Sequence, residues 1–166
     1  GNIDSRSASV SQKGEISAYV GGIAGFVGGG VVRGNKGLTT PYTIKLGSLY
    51  GGICAGGILG GSYSTKIDGG SVANVKFIAS DNNIVPPEKI GYVGAVLGWA
   101  TSTVSITKTA ASASFDFNDS LKASNFASGF AGVKTGVTLT VAADCTYQGV
   151  KVETTDIYGG GTKKIN

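Results

Sequence analysis

The chain has 166 residues, and its 14 basic and 10 acidic side chains give a formal net charge of +4. Glycine supplies 29 of these residues, which excludes a helical domain because each glycine inside a helix costs about 1 kcal/mol relative to alanine. Apolar residues make up 41% and charged residues 14%, a balance that argues against disorder, which combines low hydrophobicity with high net charge.

The distribution of charged and apolar residues argues against two classes of partner. The basic residues are scattered except for Lys163 and Lys164, and no basic stripe alternates with aromatic residues, so no nucleic-acid partner is expected. No apolar run reaches the roughly 18 residues of a membrane helix, so direct membrane insertion is not expected. The first residue is glycine, which predicts a processed product or a fragment whose targeting signal lies outside this sequence.

A glycine-rich, apolar stretch recurs four times along the chain. Its copies are YVGGIAGF (19–26), CAGGILGG (54–61), YVGAVLGW (92–99) and FASGFAGV (126–133), spaced 35, 38 and 34 residues apart. One column of this alignment contains Tyr19, Cys54, Tyr92 and Phe126. Another contains Ile23, Ile58, Val96 and Phe130. A fixed period of this length is typical of repeat architectures, and we expect the second column to be buried and stacked in register.

Two segments with strand character follow each glycine-rich stretch. The first set is VVRG (31–34), STKID (64–68), TVSITKT (103–109) and GVTLTVA (136–142). The second set is YTIKL (42–46), NVKFIA (74–79), SASFDF (112–117) and GVKVET (149–154). Several of these segments alternate apolar and polar residues, which indicates half-buried strands, and turn residues separate them.

Three strands in each repeat of about 35 residues predict an all-β fold, a parallel β-solenoid or β-helix. A glycine-rich β-sandwich built by duplication is the alternative. We predict a single β-solenoid domain over 19–158, with an N-terminal cap or the end of a preceding repeat over 1–18 and a C-terminal tail over 159–166. The repeats lie near 19–53, 54–91, 92–125 and 126–158.

The glycines and the ends of this predicted stack have structural consequences. Gly21, Gly22 and Gly25 allow backbones to approach closely, or to turn a corner, where a side chain would clash. A stack of parallel strands exposes an unpaired edge at each end, which predicts end-to-end self-association or continuation in a longer chain. Cys54 and Cys145 lie in the second and fourth repeats, too far apart to form a disulfide, so we expect two free thiols.

At GGIAGFVGGG, GGILGG and GAVLGWATSTVSI the chain resembles the GLUG-motif family of short bacterial repeats, and VAADCTYQGVKV (141–152) resembles that family's downstream strand. The fourth core departs from the motif, because Ser128 and Phe130 replace a glycine and an aliphatic residue. The resemblance implies a parallel β-solenoid in a secreted or cell-surface protein, often an adhesin, and hence an extracellular or surface location. It supplies no catalytic residues.

The absence of histidine excludes Ser-His-Asp and Cys-His catalysis and every metal site that uses histidine. Paired carboxylates for polysaccharide cleavage remain conceivable, and the candidates are Asp68, Asp81, Asp116 and Asp119. All four lie in turn segments, where aspartate is common because it bonds to its own backbone, so a structural role is favoured. The stretch FDFNDS offers oxygen ligands for calcium but lacks an EF-hand pattern, and we expect no cofactor.

Together these observations predict a non-catalytic structural or adhesion module that displays loops, rather than an enzyme. The alternative is a β-helix that binds or cleaves a polysaccharide. A surface glycan or a host or cell-surface protein is the expected partner. Trp99 shares a column with Phe26 and Val133, which favours packing over sugar stacking. The candidate ligand-binding residues are Tyr63, Asp81, Asn82, Asp116, Asn118 and Asp119.

Overall fold

The computed structural model describes residues 2–4, 16–35, 40–46, 52–79, 91–117 and 126–166. These residues form fifteen strands, and among them there is a single 3-10 turn, Thr154–Asp156, and no α-helix. Every pair of described strands but one is parallel. The described part of the chain is therefore all-β with parallel pairing, as the sequence predicts.

The glycine-rich stretches form one set of parallel strands, which we call the glycine row. It contains β2 (Ile16–Gly21), the start of β3 (Ala24–Asn35), β5 (Gly52–Gly56), the start of β6 (Leu59–Ala79), β7 (Gly91–Ala100), β10 (Phe126–Val133) and β14 (Ile157–Tyr158). The Ile23 amide donates to the Ile58 carbonyl at 3.0 Å, and the Ile58 amide donates to the Val96 carbonyl at 3.0 Å. The first three glycine-rich cores therefore stack in register, as their spacing predicts.

The strands that follow the glycine-rich stretches form a second set, the middle row. It contains residues 31–33 of β3, residues 66–68 of β6, β8 (Val104–Thr107), β11 (Thr138–Val141) and β15 (Thr162–Ile165). One register column runs through Val32, Ile67, Ile106, Val141 and Ile165. The three central members of this column are fully buried, because alternate residues of each strand point towards the core.

A third row completes the strand pattern. It contains β1 (Asn2–Asp4), β4 (Tyr42–Lys45), residues 71–79 of β6, and β9 (Ala110–Phe117). Ile44 pairs with Phe77, and both side chains are fully buried. β12 (Thr146–Tyr147) adds to the beginning of β9, and β13 (Val150–Lys151) then returns antiparallel to β12. The third row therefore ends in a small hairpin.

The chain bends between rows at residues with left-handed backbone angles. Ser64 and Lys108 have φ values of 48° and 51° at such bends, whereas Asn74, with a φ of 57°, lies at a register shift within the third row. Close to both bends, the buried hydroxyls of Thr65 and Thr109 donate to the carbonyls of the residues two positions earlier, at 3.0 and 2.9 Å. Each hydroxyl therefore has a hydrogen-bond partner inside the core, which avoids the cost of a buried unpaired polar group.

The recurring glycines lie where backbone meets backbone. A Cβ atom added at Gly21, Gly56 or Gly94 would overlap the carbonyl oxygen of the residue three positions later. At Gly98 an added Cβ would lie 2.8 Å from both the amide nitrogen and the carbonyl oxygen of Ala55, in the preceding repeat. The close approach that the sequence predicts for these glycines is therefore confirmed, and the contact recurs from repeat to repeat.

Two details of the predicted columns are wrong. Ile23 is 45% exposed, although Ile58, Val96 and Phe130 are fully buried, because no described strand pairs with the free edge of the first repeat. The column predicted from Tyr19, Cys54, Tyr92 and Phe126 is also displaced by one residue at its fourth member. Ala127, not Phe126, pairs with Tyr92, and the register shifts again further along β10.

The predicted end of the chain also requires correction. The segment 149–154 is not a parallel strand, because the turn at Gln148 and Gly149, both with positive φ, reverses the chain into β13. Two positive φ values are the geometry of the tight hairpin turn that suits twisted strands. The predicted tail, 159–166, contains β15, which adds a fifth strand to the middle row.

The two cysteines are unbridged and buried, as the repeat spacing predicts. Burial raises the pKa of the Cys54 thiol far above its usual range, and burial is also the main cause of the raised pKa of Cys145. Both side chains are therefore protonated thiols near neutral pH, and the thiolate is the reactive form.

We expect Gly98→Ala to lower the free energy of unfolding by about 3 kcal/mol, because the added methyl group meets backbone atoms that cannot move independently. Gly28→Ala is the matched control. A Cβ there would meet only the Phe26 ring edge, at 3.9 Å, and the expected change is within about 0.5 kcal/mol. Urea unfolding of both variants makes the comparison, and equal losses would contradict the account of backbone contact.

We expect both thiols to resist alkylation in the folded protein and to react when it is denatured. Mass spectrometry after iodoacetamide treatment at pH 8 should show no adduct on the native chain and two adducts in denaturant without reductant. Absence of adducts in denaturant would indicate a disulfide, and rapid native labelling of Cys54 would contradict its burial.

Candidate functional site

Aromatic side chains gather on the face of the glycine row where residue 26 pairs with 61 and 61 with 99. We call this surface the aromatic face; its members are Tyr19, Phe26, Tyr63, Tyr92, Trp99 and Tyr158. Glycine makes room for the rings, since a Cβ at Gly61 would overlap the Tyr19 ring and one at Gly132 would overlap the Tyr158 ring. The glycines of this row therefore have two roles: some allow close backbone contact, and others make room for aromatic rings.

One end of the aromatic face is closed by stacking. The rings of Tyr92 and Trp99 stack at 3.6 Å between centroids, and Tyr158 lies parallel to Tyr92 at 6.1 Å. The Tyr158 hydroxyl donates to the Gly98 carbonyl at 2.6 Å. Trp99 is only 7% exposed, so its surface is taken up by packing within the protein, as its column favours.

The other end of the aromatic face is open. Phe26 is 44% exposed and Tyr63 is 54% exposed. Gly28 pairs with Tyr63, and residue 61 pairs with Phe26, so the two rings are diagonal neighbours on adjacent parallel strands. Ser64, the residue after Tyr63, has its hydroxyl 3.2 Å from that of Ser102. The two exposed rings, with this pair of hydroxyls at the following residue, form the candidate binding site.

Beneath the rings lies Cys54, which pairs with Tyr19 on one side and Tyr92 on the other. Burial is the largest cause of the raised pKa of Tyr19, Tyr92 and Tyr158, and a charge on Cys54 would add to it. These groups therefore stay neutral near pH 7. The cluster is a packed, uncharged support that contacts Phe26 through the Tyr19 ring.

Asp68 is held by three local partners. Thr107 donates to the Asp68 carboxylate at 3.0 Å, and Lys66 and Lys108 approach it to 3.6 and 4.0 Å. The Thr107 hydrogen bond is the main cause of the lowered pKa of Asp68, with contributions from both lysines. Asp68 is therefore ionised at neutral pH and is a poor general acid, because a general acid needs a raised pKa.

The structure describes two of the six predicted binding residues, and it separates them. Tyr63 lies on the glycine row, whereas Asp116 lies on the third row and forms a 3.0 Å ion pair with Lys76. Asp81, Asn82, Asn118 and Asp119 lie outside the described residues. Phe26 was missed as a partner of Tyr63, although the alignment of residue 26 with residue 61 and Trp99 could have placed it on the same face.

The described ranges contain neither a metal-binding cluster nor a membrane-spanning helix. No group of three or more Cys, Asp or Glu side chains there could hold a metal ion. No helix among those residues has the length and apolar character to cross a membrane. Comparison with known proteins adds no relative, because no family model, no curated protein and no solved structure matches the chain.

Proposed function

We propose that the chain is a non-catalytic β-solenoid module of a bacterial cell-surface or secreted protein, of the GLUG-repeat type, that serves adhesion. The observation that carries the proposal is the shared register of successive repeats in all three rows, which joins them by continuous parallel ladders. Such stacks are rigid, quasi-one-dimensional scaffolds whose faces and loops are available for binding.

Local pairing of the carboxylates supports a non-catalytic role. Glycoside hydrolysis requires two carboxyl groups about 5 to 9.5 Å apart across a bound sugar, one of them protonated. Asp68 is ionised and held by Thr107 and lysines on the middle row, whereas Asp116 pairs with Lys76 on the third row. These two acids therefore work as parts of separate surface networks, each stabilising its own strand pair.

The exposed rings of Phe26 and Tyr63 favour a polysaccharide as the ligand. Sugar rings present apolar C–H faces that pack on aromatic rings, and their hydroxyls pair with groups such as Ser64 and Ser102. The net charge of +4 favours an acidic glycan through its long-range field. We therefore propose an acidic polysaccharide as the ligand of the aromatic face.

We expect an oligogalacturonate of about six sugars to bind the wild-type chain, and Tyr63→Ala to weaken binding about tenfold. Calorimetric titration measures both, with cellohexaose as the neutral comparison. Val150→Ala is the control, since Val150 is also an exposed apolar residue but lies on the terminal hairpin. Equal affinity of wild type and Tyr63→Ala would contradict the binding site.

Catalysis is tested with the same ligand. Prolonged incubation with polygalacturonate should leave its chain length and its content of reducing ends unchanged, and should produce no unsaturated product absorbing in the ultraviolet. Cleavage that disappears in Asp68→Asn or Asp116→Asn would overturn the non-catalytic assignment and favour the polysaccharide-cleaving alternative.

A further inference from the structure

We propose that copies of this chain stack head to tail, with β15 of one copy pairing in parallel with the middle-row part of β3 in the next. The inference rests on the proposed β-solenoid, because it extends the same ladder across a molecular boundary. The strand that pairs with the open edge therefore belongs to a second copy of this chain. The contact joins two different surfaces, so it is heterologous rather than two-fold symmetric.

The first repeat presents an open edge to such a partner. Among the described strands, β3 pairs with β6 alone and β2 pairs with β5 alone. The inward side chain of Val32 is partly buried, whereas Ile67, Ile106 and Val141 in the same column are fully buried. A further strand paired with the open edge of β3 would bury Val32, just as strands on both sides bury Ile67, Ile106 and Val141.

The other end of the molecule presents a matching edge in the same row. Of the strands that the structure describes, β11 is the one that pairs with β15, and Ile165 at its end is exposed. Ile165 occupies the last position of the column that Val32 begins. Both free edges therefore belong to the middle row, and their strands run in the same direction.

Extending the observed register by one step fixes the contacts at the junction. Ile165 pairs with Val32 of the next copy, and Lys164 pairs with Val31, a half-exposed valine whose column is otherwise polar. The Lys164 stem can cover that valine while its amine stays in water. No like charges lie directly opposite each other in this register.

The preceding pair in the same register joins Lys163 to Gly30. Lys163 pairs with buried Leu139, and its amine donates to the Ile157 carbonyl, so the charge already has a partner within its own copy. A Cβ placed at Gly30 would meet no atom within 4 Å. The glycine therefore leaves space for the Lys163 stem, where a larger side chain would compete for it.

The third row does not obstruct this stacking. β1 extends the columns of residues 43–45, whereas β13 lies on β12, which continues the columns of residues 110–111. Because these columns lie at different positions along the row, β1 of the incoming copy and β13 of the first copy do not compete for the same backbone groups. The junction therefore accepts both elements.

Sedimentation velocity from low micromolar to about 1 mM protein tests the proposal. We expect the wild-type sedimentation coefficient to rise continuously with concentration, because a heterologous contact repeats without closing. Val31→Lys places a lysine opposite Lys164 and should weaken association about fivefold. The double variant Val31→Lys with Lys164→Glu should restore it.

Ser105→Lys is the matched control, since it adds the same charge in the same column, also opposite Lys66, but on a strand that lies between β6 and β11, so it should leave association unchanged. Circular dichroism of each variant verifies that it is folded. A wild-type monomer at every concentration, equal weakening by Ser105→Lys, or failure of the double variant to recover would overturn the proposed junction. Glycan binding by a monomer would leave the proposed function intact, so the two failures are distinguishable.

Discussion

Direct contact between backbones at the glycine cores is the constraint on which the rest of the structure depends. Gly98 lies against Ala55 of the preceding repeat, and Gly60 lies in the same way against Val20. Because no side chain separates these segments, their contact fixes both the distance and the register between successive repeats. The parallel ladders of the middle and third rows then follow from that register, and so does the burial of their alternate side chains.

The same glycines explain how a chain with few charged residues presents a specific surface. Rings of Tyr19 and Tyr158 occupy the space above Gly61 and Gly132. Most rings of the aromatic face pack against one another, and Phe26 and Tyr63 are the ones left exposed, at one end. Backbone contact beneath these rings limits the positions that they can take, which is the kind of preorganisation that lowers the ordering cost of binding.

Much of this organisation could be predicted from the sequence, because repeat spacing and strand alternation report on contacts that recur. The stacking of Ile58 on Val96 followed from spacing alone, and so did the free thiols. The exposure of Ile23 could not be predicted in this way, because alignment treats a terminal repeat like an internal one. The reversal at Gln148 and Gly149 was missed for a related reason: the turn interrupts a segment that otherwise has strand character.

The candidate site was harder to predict, since ligand sites lack the repetition that reveals the fold. Tyr63 could be selected as an aromatic residue, but its neighbour Phe26 was missed, although the repeat alignment that puts residue 26 beside residue 61 agrees with the register of the strands. Asp116 looked like part of a polar cluster, yet its ion pair is with Lys76 on the adjacent strand. In both cases the neighbour that matters lies on an adjacent strand and is far away in the sequence.

The measurement that tests the central account most directly is a set of amide-to-amide and amide-to-Hα nuclear Overhauser contacts in the isotopically labelled protein. Strands about 4.8 Å apart should show parallel-ladder contacts joining Ile67 to Ile106 and Ile106 to Val141. Contacts displaced by one residue, or an antiparallel pattern between these segments, would contradict the account, because the glycine cores would then not set the register.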